Sequence, residues 1–303
     1  MIRHLRHGAA IVLVAACAVI AATLDVTPPV GKDSVRFLAI GDTGTGDRLQ
    51  SEVAARIVST HAVFPFTFAI MMGDNLYGSE RASDYADKFE RPYKALLDAK
   101  VEFYASLGNH DDPNQRLYKP FNMNGERYYT FKKGNVRFFA LDSNYYDQTQ
   151  AAWLEKALAD AGEDWKICFF HHPIYSSGGR HGSEVDLRAQ LEPLLIQHGV
   201  DVVFAGHEHF YERLKPQKGI HYFVNGGGAK LRRGDITKTP MTAKGFDADR
   251  SFMVVEIDGD VLRFQTLTRT GAKVDEGEIR RNTEPSPAER QKAATADRQS
   301  AGQ

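Results

Sequence analysis

Gly73-Asp74-Asn75-Leu76-Tyr77 follows an apolar run, 66–72, that reads as a buried strand. Asp74 therefore stands where a strand of an open α/β sheet ends, which is where such sheets bind ligands. One Gly-Asp pair after one strand says little. The arrangement recurs, however: four other apolar runs end in polar residues able to bind metal, at Asp42, at Asn109, at His171, and at His207 with His209. A carboxylate in the middle of such a set is able to bridge two metal ions.

Upstream, residues 35–40 alternate and then run apolar before breaking at Gly41-Asp42-Thr43-Gly44-Thr45-Gly46, which predicts a strand, a glycine-rich turn and a helix over 49–60. No Gly-Lys-Ser/Thr closes that turn and the Gly-x-Gly-x-x-Gly pattern is missing, so a metal-binding Asp42 fits better than a phosphate cradle. Downstream, Phe89, Tyr93, Leu96 and Leu97 repeat at helical spacing within 84–100 and read as core. A strand over 101–107 ends at Gly108-Asn109-His110-Asp111. Strands 128–131 and 136–141 form a hairpin, a helix covers 150–161, and a strand over 167–170 leads into His171-His172-Pro173. After a flexible run, 176–182, come a helix over 185–198 and a strand over 200–205 that ends at Gly206-His207-Glu208-His209. Late strands are expected at 220–224, 251–257 and 261–268. The glycine-rich 226–250 segment is too long for a plain connection and is expected to form a rim over the site.

The chain of 303 residues, with 38 basic and 39 acidic side chains and a formal net charge of -1, can bury a sizeable core. It has no long basic run, which argues against a nucleic-acid polymer as partner. Residues 1–23 read as a signal peptide: Arg3 and Arg6 precede an apolar stretch, 9–22, too short for a comfortable membrane span. Export to a bacterial periplasm or to the medium follows. Val14-Ala15-Ala16-Cys17 offers a lipid anchor at Cys17 as the alternative, although Ala18 to Ala22 stays apolar; otherwise no membrane association is expected. Cys168 is then alone in the mature chain and reads as a buried small hydrophobe. A single folded domain is expected over 34–280, and 281–303, rich in Pro, Ala, Gln, Ser and charge, is expected to be a disordered tail.

Alternating strands and helices bring successive strand ends to one side of a sheet, so the candidate ligands converge. Carboxylate, amide, phenol and imidazole without thiolate suit zinc, iron or manganese. Two such metals roughly 3.5 to 4 Å apart form the clamp used for in-line displacement at phosphorus.

Read together, Gly41-Asp42-Thr43-Gly44, Gly73-Asp74-Asn75-Leu76-Tyr77, Gly108-Asn109-His110-Asp111, His171-His172-Pro173 and Gly206-His207-Glu208-His209 resemble the calcineurin-like metallophosphoesterases, and within them the purple (tartrate-resistant type) acid phosphatases. The resemblance implies a four-layer α/β/β/α sandwich with mixed sheets. It implies a first metal on Asp42, Asp74, Tyr77 and His209, and a second on Asp74, Asn109, His171 and His207, with Asp74 bridging and His172 not a ligand. His110 and His181 match the family's two substrate histidines, His181 in a loop one residue longer. The metals implied are Fe(III) with Fe(II), Zn(II) or Mn(II), because a phenol with a reference pKa of about 10 ligates as phenolate only to a strongly acidic cation. Five positive charges less the three of Asp42, Asp74 and the Tyr77 phenolate leave two, enough to hold hydroxide and a phosphate ester.

The activity implied is hydrolysis of small phosphate monoesters, of acid phosphatase type, by metal-bound hydroxide at a dinuclear centre. A phosphodiesterase or nucleotide pyrophosphatase on the same site is the alternative, and a non-hydrolytic metal-binding module the rival from another class. Asp111, Asp142 and Glu208 read equally as groups orienting ligands or as solvated loop carboxylates. Arg180, Lys230, Arg232 and Arg233 read as phosphate-reaching or simply as surface.

Overall fold

The computed structural model describes residues 24–162 and 164–281, together with Glu284, Ser286, Pro287, Ala288 and Gln291. The expected signal peptide, with Cys17, lies outside the described residues, and so does most of the 281–303 tail. Of the tail residues described, Ser286 is buried and sits against Gly199.

In chain order the elements are β1 (Val35–Ile40), α1 (Arg48–Val63), β2 (Phe68–Met72), α2 (Ala82–Tyr85), α3 (Lys94–Asp98), β3 (Glu102–Ser106), β4 (Tyr129–Lys133), β5 (Val136–Ala140), α4 (Gln148–Ala159), β6 (Trp165–Phe170), α5 (Val185–Gln197), β7 (Val202–Ala205), β8 (Tyr211–Leu214), β9 (His221–Asn225), β10 (Thr242–Phe246), β11 (Ser251–Asp258), β12 (Val261–Thr268) and β13 (Lys273–Arg280). They form two mixed sheets, one ordered β13-β12-β11-β1-β2-β3 and the other β10-β8-β9-β7-β6-β5-β4.

Strand alternation decides what lies between the layers. Phe138, Ile167, Phe169, Val202, Phe204 and Phe223 turn one face of the second sheet toward the first, where Phe37 packs within 5.3 Å of Phe68 and Phe138 and 6.0 Å of Phe204. Their sequence neighbours Phe139, Cys168, Phe170, Val203 and Val224 turn the other way, onto Leu154 and Leu158 of α4 and Leu187, Leu191 and Leu195 of α5. A strand apolar on both faces must be covered on both, and this produces the expected α/β/β/α sandwich. Cys168 is fully buried there, as expected of a small hydrophobe.

Helices begin where side chains satisfy the free N–H groups of a first turn. Asp47 accepts from the N–H of Gln50 at 2.8 Å and starts α1, whose buried stripe is Gln50, Val53, Ala54, Ile57 and Thr60. Asp147 accepts from the N–H of Gln150 at 2.8 Å and starts α4.

Local structure departs from the sequence reading in two ways. The helix expected over 84–100 is α2, a π-helical turn at Ala86–Glu90 and α3. The wider turn lets both Phe89 and Tyr93 face the core while Lys88 donates to the carbonyls of Tyr77 and Ser79 at 2.7 and 2.8 Å. Strands β8, β10 and β13 were not expected. Their charges obscure the alternation: Glu212 and Arg213 of β8 are held by Ser177 and Thr242 and by Asp275, respectively.

Candidate metal centre

Strands β1, β2 and β3 run parallel, and so do β5, β6, β7 and β9. Their C-terminal ends meet at the seam between the sheets. The N–H of Gly41 donates to Asn225 O at 3.0 Å, and the Asn225 amide donates back to Ala39 O at 3.0 Å. Three residues leave their strands in the left-handed region, Asp42 (φ 58°), Asp74 (φ 49°) and His207 (φ 67°). Non-glycine residues there are strained, and such strain collects at functional sites.

Two groups of potential ligands result, each with its ligand atoms within 4.8 Å of one another: Asp42, Asp74 and His209, and His171, His172 and His207. In the first, Tyr77 Oη donates to Asp42 Oδ1 at 2.9 Å and lies 3.3 Å from His209 Nε2. Asp42 Oδ2 accepts from the His207 N–H at 2.9 Å. In the second, His171 Nδ1 lies 2.8 Å from Met72 O. A carbonyl only accepts, so Nδ1 carries the proton and Nε2 keeps its lone pair. That Nε2 sits 3.0 Å from Asn109 Oδ1, 3.1 Å from His207 Nδ1 and 3.4 Å from Asp74 Oδ1. Asp74 thus belongs to the first group and touches the second. Its Oδ1 accepts from the His110 N–H at 3.0 Å, whereas its buried Oδ2 has no protein partner.

These are the residues singled out in the sequence, brought together from five strand ends. His172, set aside there as a non-ligand, stands within the same histidine group, held by Ser143, whose Oγ is 2.9 Å from its Nδ1. His110 is exposed, its ring 5.0 Å from that of Tyr77. His181 is exposed too, its ring 4.3 Å from that of His207.

Four further residues, Glu208, Arg232, Lys230 and Asp111, were left open in the sequence. Glu208 is fully buried, accepting from the Gly182 N–H at 2.6 Å and from Arg232 at 3.1 Å. Arg232 also lies 3.4 Å from His181 Nε2 and from His209 Nδ1, and Lys230 Nζ stands 4.4 Å above the Tyr77 ring. The rim expected over 226–250 supplies both cations, which the sequence left open between reaching phosphate and plain surface. Asp111 accepts from the N–H groups of Asn75, Leu76 and Gly108 at 3.1, 3.0 and 2.8 Å, binding the Asp74 and Asn109 turns together.

The electrostatics favour a bound cation. Burial lowers the pKa of His171 and His207 well below the ordinary range and that of His209 to about 4, so all three are neutral lone-pair donors near neutral pH. Burial, then the charge of Asp74, raises Asp42. Burial, then the charges of Asp42 and Asp74, raises the Tyr77 phenol far above its usual range. Buried acceptors that repel one another, with one carboxylate oxygen unpartnered, are a donor set that metal cations satisfy. The residues present fit bound metal ions.

A pH prediction follows for protein stripped of metal. Asp42 holds its proton to higher pH when folded, which favours low pH, but His171, His207 and His209 are neutral when folded and protonated below about 6.5 when unfolded, so on balance the unfolded state binds more protons and stability rises with pH between about 4 and 6.5. Metal-free protein should melt at progressively higher temperature as pH is raised from about 4 toward 6.5. A melting temperature that falls over that range in calorimetry would show that these histidines are not buried in neutral form.

Comparison with known proteins agrees with this geometry. Residues 35–211, more than half of the chain, match the calcineurin-like phosphoesterase family. The chain belongs to that family. Purple acid phosphatase 17 of Arabidopsis thaliana is 27% identical over 256 residues, covering 72% of this chain and 75% of that one. Human tartrate-resistant acid phosphatase type 5 is 27% identical over 238 residues, 64% of this chain and 73% of that one. Among solved structures, GAP50, the anchor in the inner membrane complex of Plasmodium, superposes with a TM-score of 0.71 at 20% identity, over 85% of this chain and 91% of that one. The calcineurin-like phosphoesterase assignment makes the protein a metallophosphoesterase, a metal-dependent hydrolase whose curated relatives are purple acid phosphatases.

Proposed function

We propose that the protein hydrolyses small phosphate monoesters in acid at a dinuclear centre, with Asp42, Asp74, Tyr77 and His209 holding Fe(III) and Asp74, Asn109, His171 and His207 holding Fe(II), Zn(II) or Mn(II). The observation that carries the reading is Asp74, a member of one ligand group whose Oδ1 lies 3.4 Å from His171 Nε2 of the other and whose Oδ2 is buried without a partner. Fold alone would not carry it, since a fold hosts many functions and GAP50 is described as an anchor.

When bound, such metals supply Lewis acidity that polarises the phosphoryl oxygens and acidifies water. The chain's own residues do the rest. Asp42 and Asp74 set the charge of the site, and Tyr77, poised on Asp42, gives up its phenolic proton when the first cation enters. His110 stands over this group with its main chain fixed on Asp74 and its imidazole exposed, placed to protonate the leaving alkoxide. Arg232 and Lys230 add positive charge at the rim, which draws in an anionic ester, and Glu208 holds Arg232 and the His181 loop in register. Export, directed by residues 1–23, is proposed from the sequence alone.

The test is metal analysis with a visible spectrum of wild type and Tyr77→Phe. Two metals per chain including iron, a broad visible absorption lost in the variant, and hydrolysis of p-nitrophenyl phosphate faster in acid than above neutrality are expected. Iron-loaded wild type without that absorption would remove the ferric phenolate. Faster cleavage of bis-p-nitrophenyl phosphate than of the monoester would turn the assignment to a phosphodiesterase.

A further inference from the structure

Beside the metal centre opens a groove of about 430 Å³, within the range of roughly 300–1,000 Å³ typical of small-molecule sites. It lies between the turn after β3, the loop after β5 and the start of α5. Asn109 and His172 line it where it meets the centre; Arg127, Asn144 and Tyr145 line it further out. We propose that this groove receives the leaving group of the ester and that Tyr145 selects a planar aromatic one, an aryl or nucleobase-bearing alcohol, an inference that rests on the phosphomonoester reading above.

Tyr145 is 65% exposed, a large ring kept out of the core. One side of it carries the Arg127 guanidinium, 4.7 Å from the ring centroid. Arg127 is clamped in turn: its Nε donates to Asp142 Oδ2 at 2.6 Å, and Asp142 is almost wholly buried. The loop that presents the ring is fixed from both sides. Gln150 of α4 accepts from the Asp142 N–H at 2.8 Å and donates to the Asp142 carbonyl at 2.9 Å. The Asn144 amide donates to the carbonyls of Leu107 and Gly108, next to Asn109, at 3.2 and 3.3 Å, while Ser143 holds His172. These contacts hold the loop that carries the ring against the Asn109 turn and His172. A guanidinium-backed aromatic surface in the same groove as Asn109 and His172 is a stacking platform, tolerant of substituents because every planar ring has a π-face. Neither glycerol nor a sugar alone has such a face.

The experiment compares metal-loaded wild type, Tyr145→Ala and Tyr145→Phe on adenosine 5′-monophosphate, 1-naphthyl phosphate and glycerol 2-phosphate. Tyr145→Ala should lower kcat/KM for the two ring-bearing esters about 10-fold, chiefly through KM, and leave glycerol 2-phosphate within about twofold; Tyr145→Phe should restore the ring esters. A second reading avoids the metals: saturation-transfer NMR on metal-free protein should show adenosine base protons contacting wild type and Tyr145→Phe but not Tyr145→Ala. Equal losses on all three esters, no loss on any, or NMR transfer indifferent to the ring would overturn the proposal. Should metal-loaded wild type cleave none of the esters, the phosphomonoesterase reading fails, and the NMR arm still decides whether Tyr145 holds a planar ligand.

Discussion

Asp74→Asn should leave a folded protein that no longer turns over phosphate esters. Asparagine nearly matches the shape, and its Oδ1 can still accept the His110 N–H that Asp74 holds at 3.0 Å. What is lost is the charge and the second oxygen. An amide offers one good ligand atom and a pair of N–H donors where the carboxylate had an unpartnered acceptor facing the site. It can serve one cation and cannot bridge two. The fall in kcat/KM should be on the order of 10³-fold or more, beyond the 10- to 100-fold typical of residues that only support a ligand. Metal analysis should find fewer than two ions per chain. Turnover within a factor of ten of wild type, with near-UV circular dichroism unchanged, would dismiss the bridge.

Gly108→Ala should do comparable damage by an unrelated route. Gly108 does not need a left-handed backbone; it needs space. A Cβ there would stand 2.2 Å from both the backbone nitrogen and Oδ1 of Asp74, and 3.0 Å from its Cα. No flexible side-chain end can move aside, so either the Asp74 turn or the Asn109 turn must shift. Overpacking of this kind typically costs about 1–3 kcal/mol, and a displacement near 1 Å at reacting groups can cost about 10²-fold in rate. A melting temperature several degrees lower, together with loss of activity and of bound metal, is expected. Gly259→Ala is the useful contrast. Gly259 has φ 56° and no atom within 4 Å of the added Cβ, so only backbone strain is introduced, and activity should persist. If Gly108→Ala retained full activity, the two turns would not be packed as described.

The centre was legible because its chemistry sits at strand ends. Apolar runs announce strands, and Asp42, Asp74, Asn109, His171 and His207 each follow one within one to three residues. Parallel strands then bring those ends together. Residues whose position depends on long connections were not legible in the same way. Lys230 and Arg232 reach the site from the segment between β9 and β10, and in the sequence they look like ordinary loop cations. Glu208 and Asp142 could be solvated or buried; their partners, Arg232 and Arg127, are 24 and 15 residues distant, and no local pattern announces the pairing. Strand β13, mostly polar and at a sheet edge, shows too little apolar alternation to stand out.

Because the ligands come from both sheets, the seam also sets when during folding the site can exist. Asp42 accepts from the His207 N–H across 165 residues of chain. Contacts that close so long a loop form late, since the entropy of closure must be met before they are rewarded. A chain folded only through β3 presents Asp42, Asp74, Tyr77 and Asn109, oxygen ligands alone. The imidazoles that complete the nitrogen-rich half arrive with β6 and β7. In the proposed dinuclear site, two ions would therefore be retained only by molecules whose sheets have docked in the correct register.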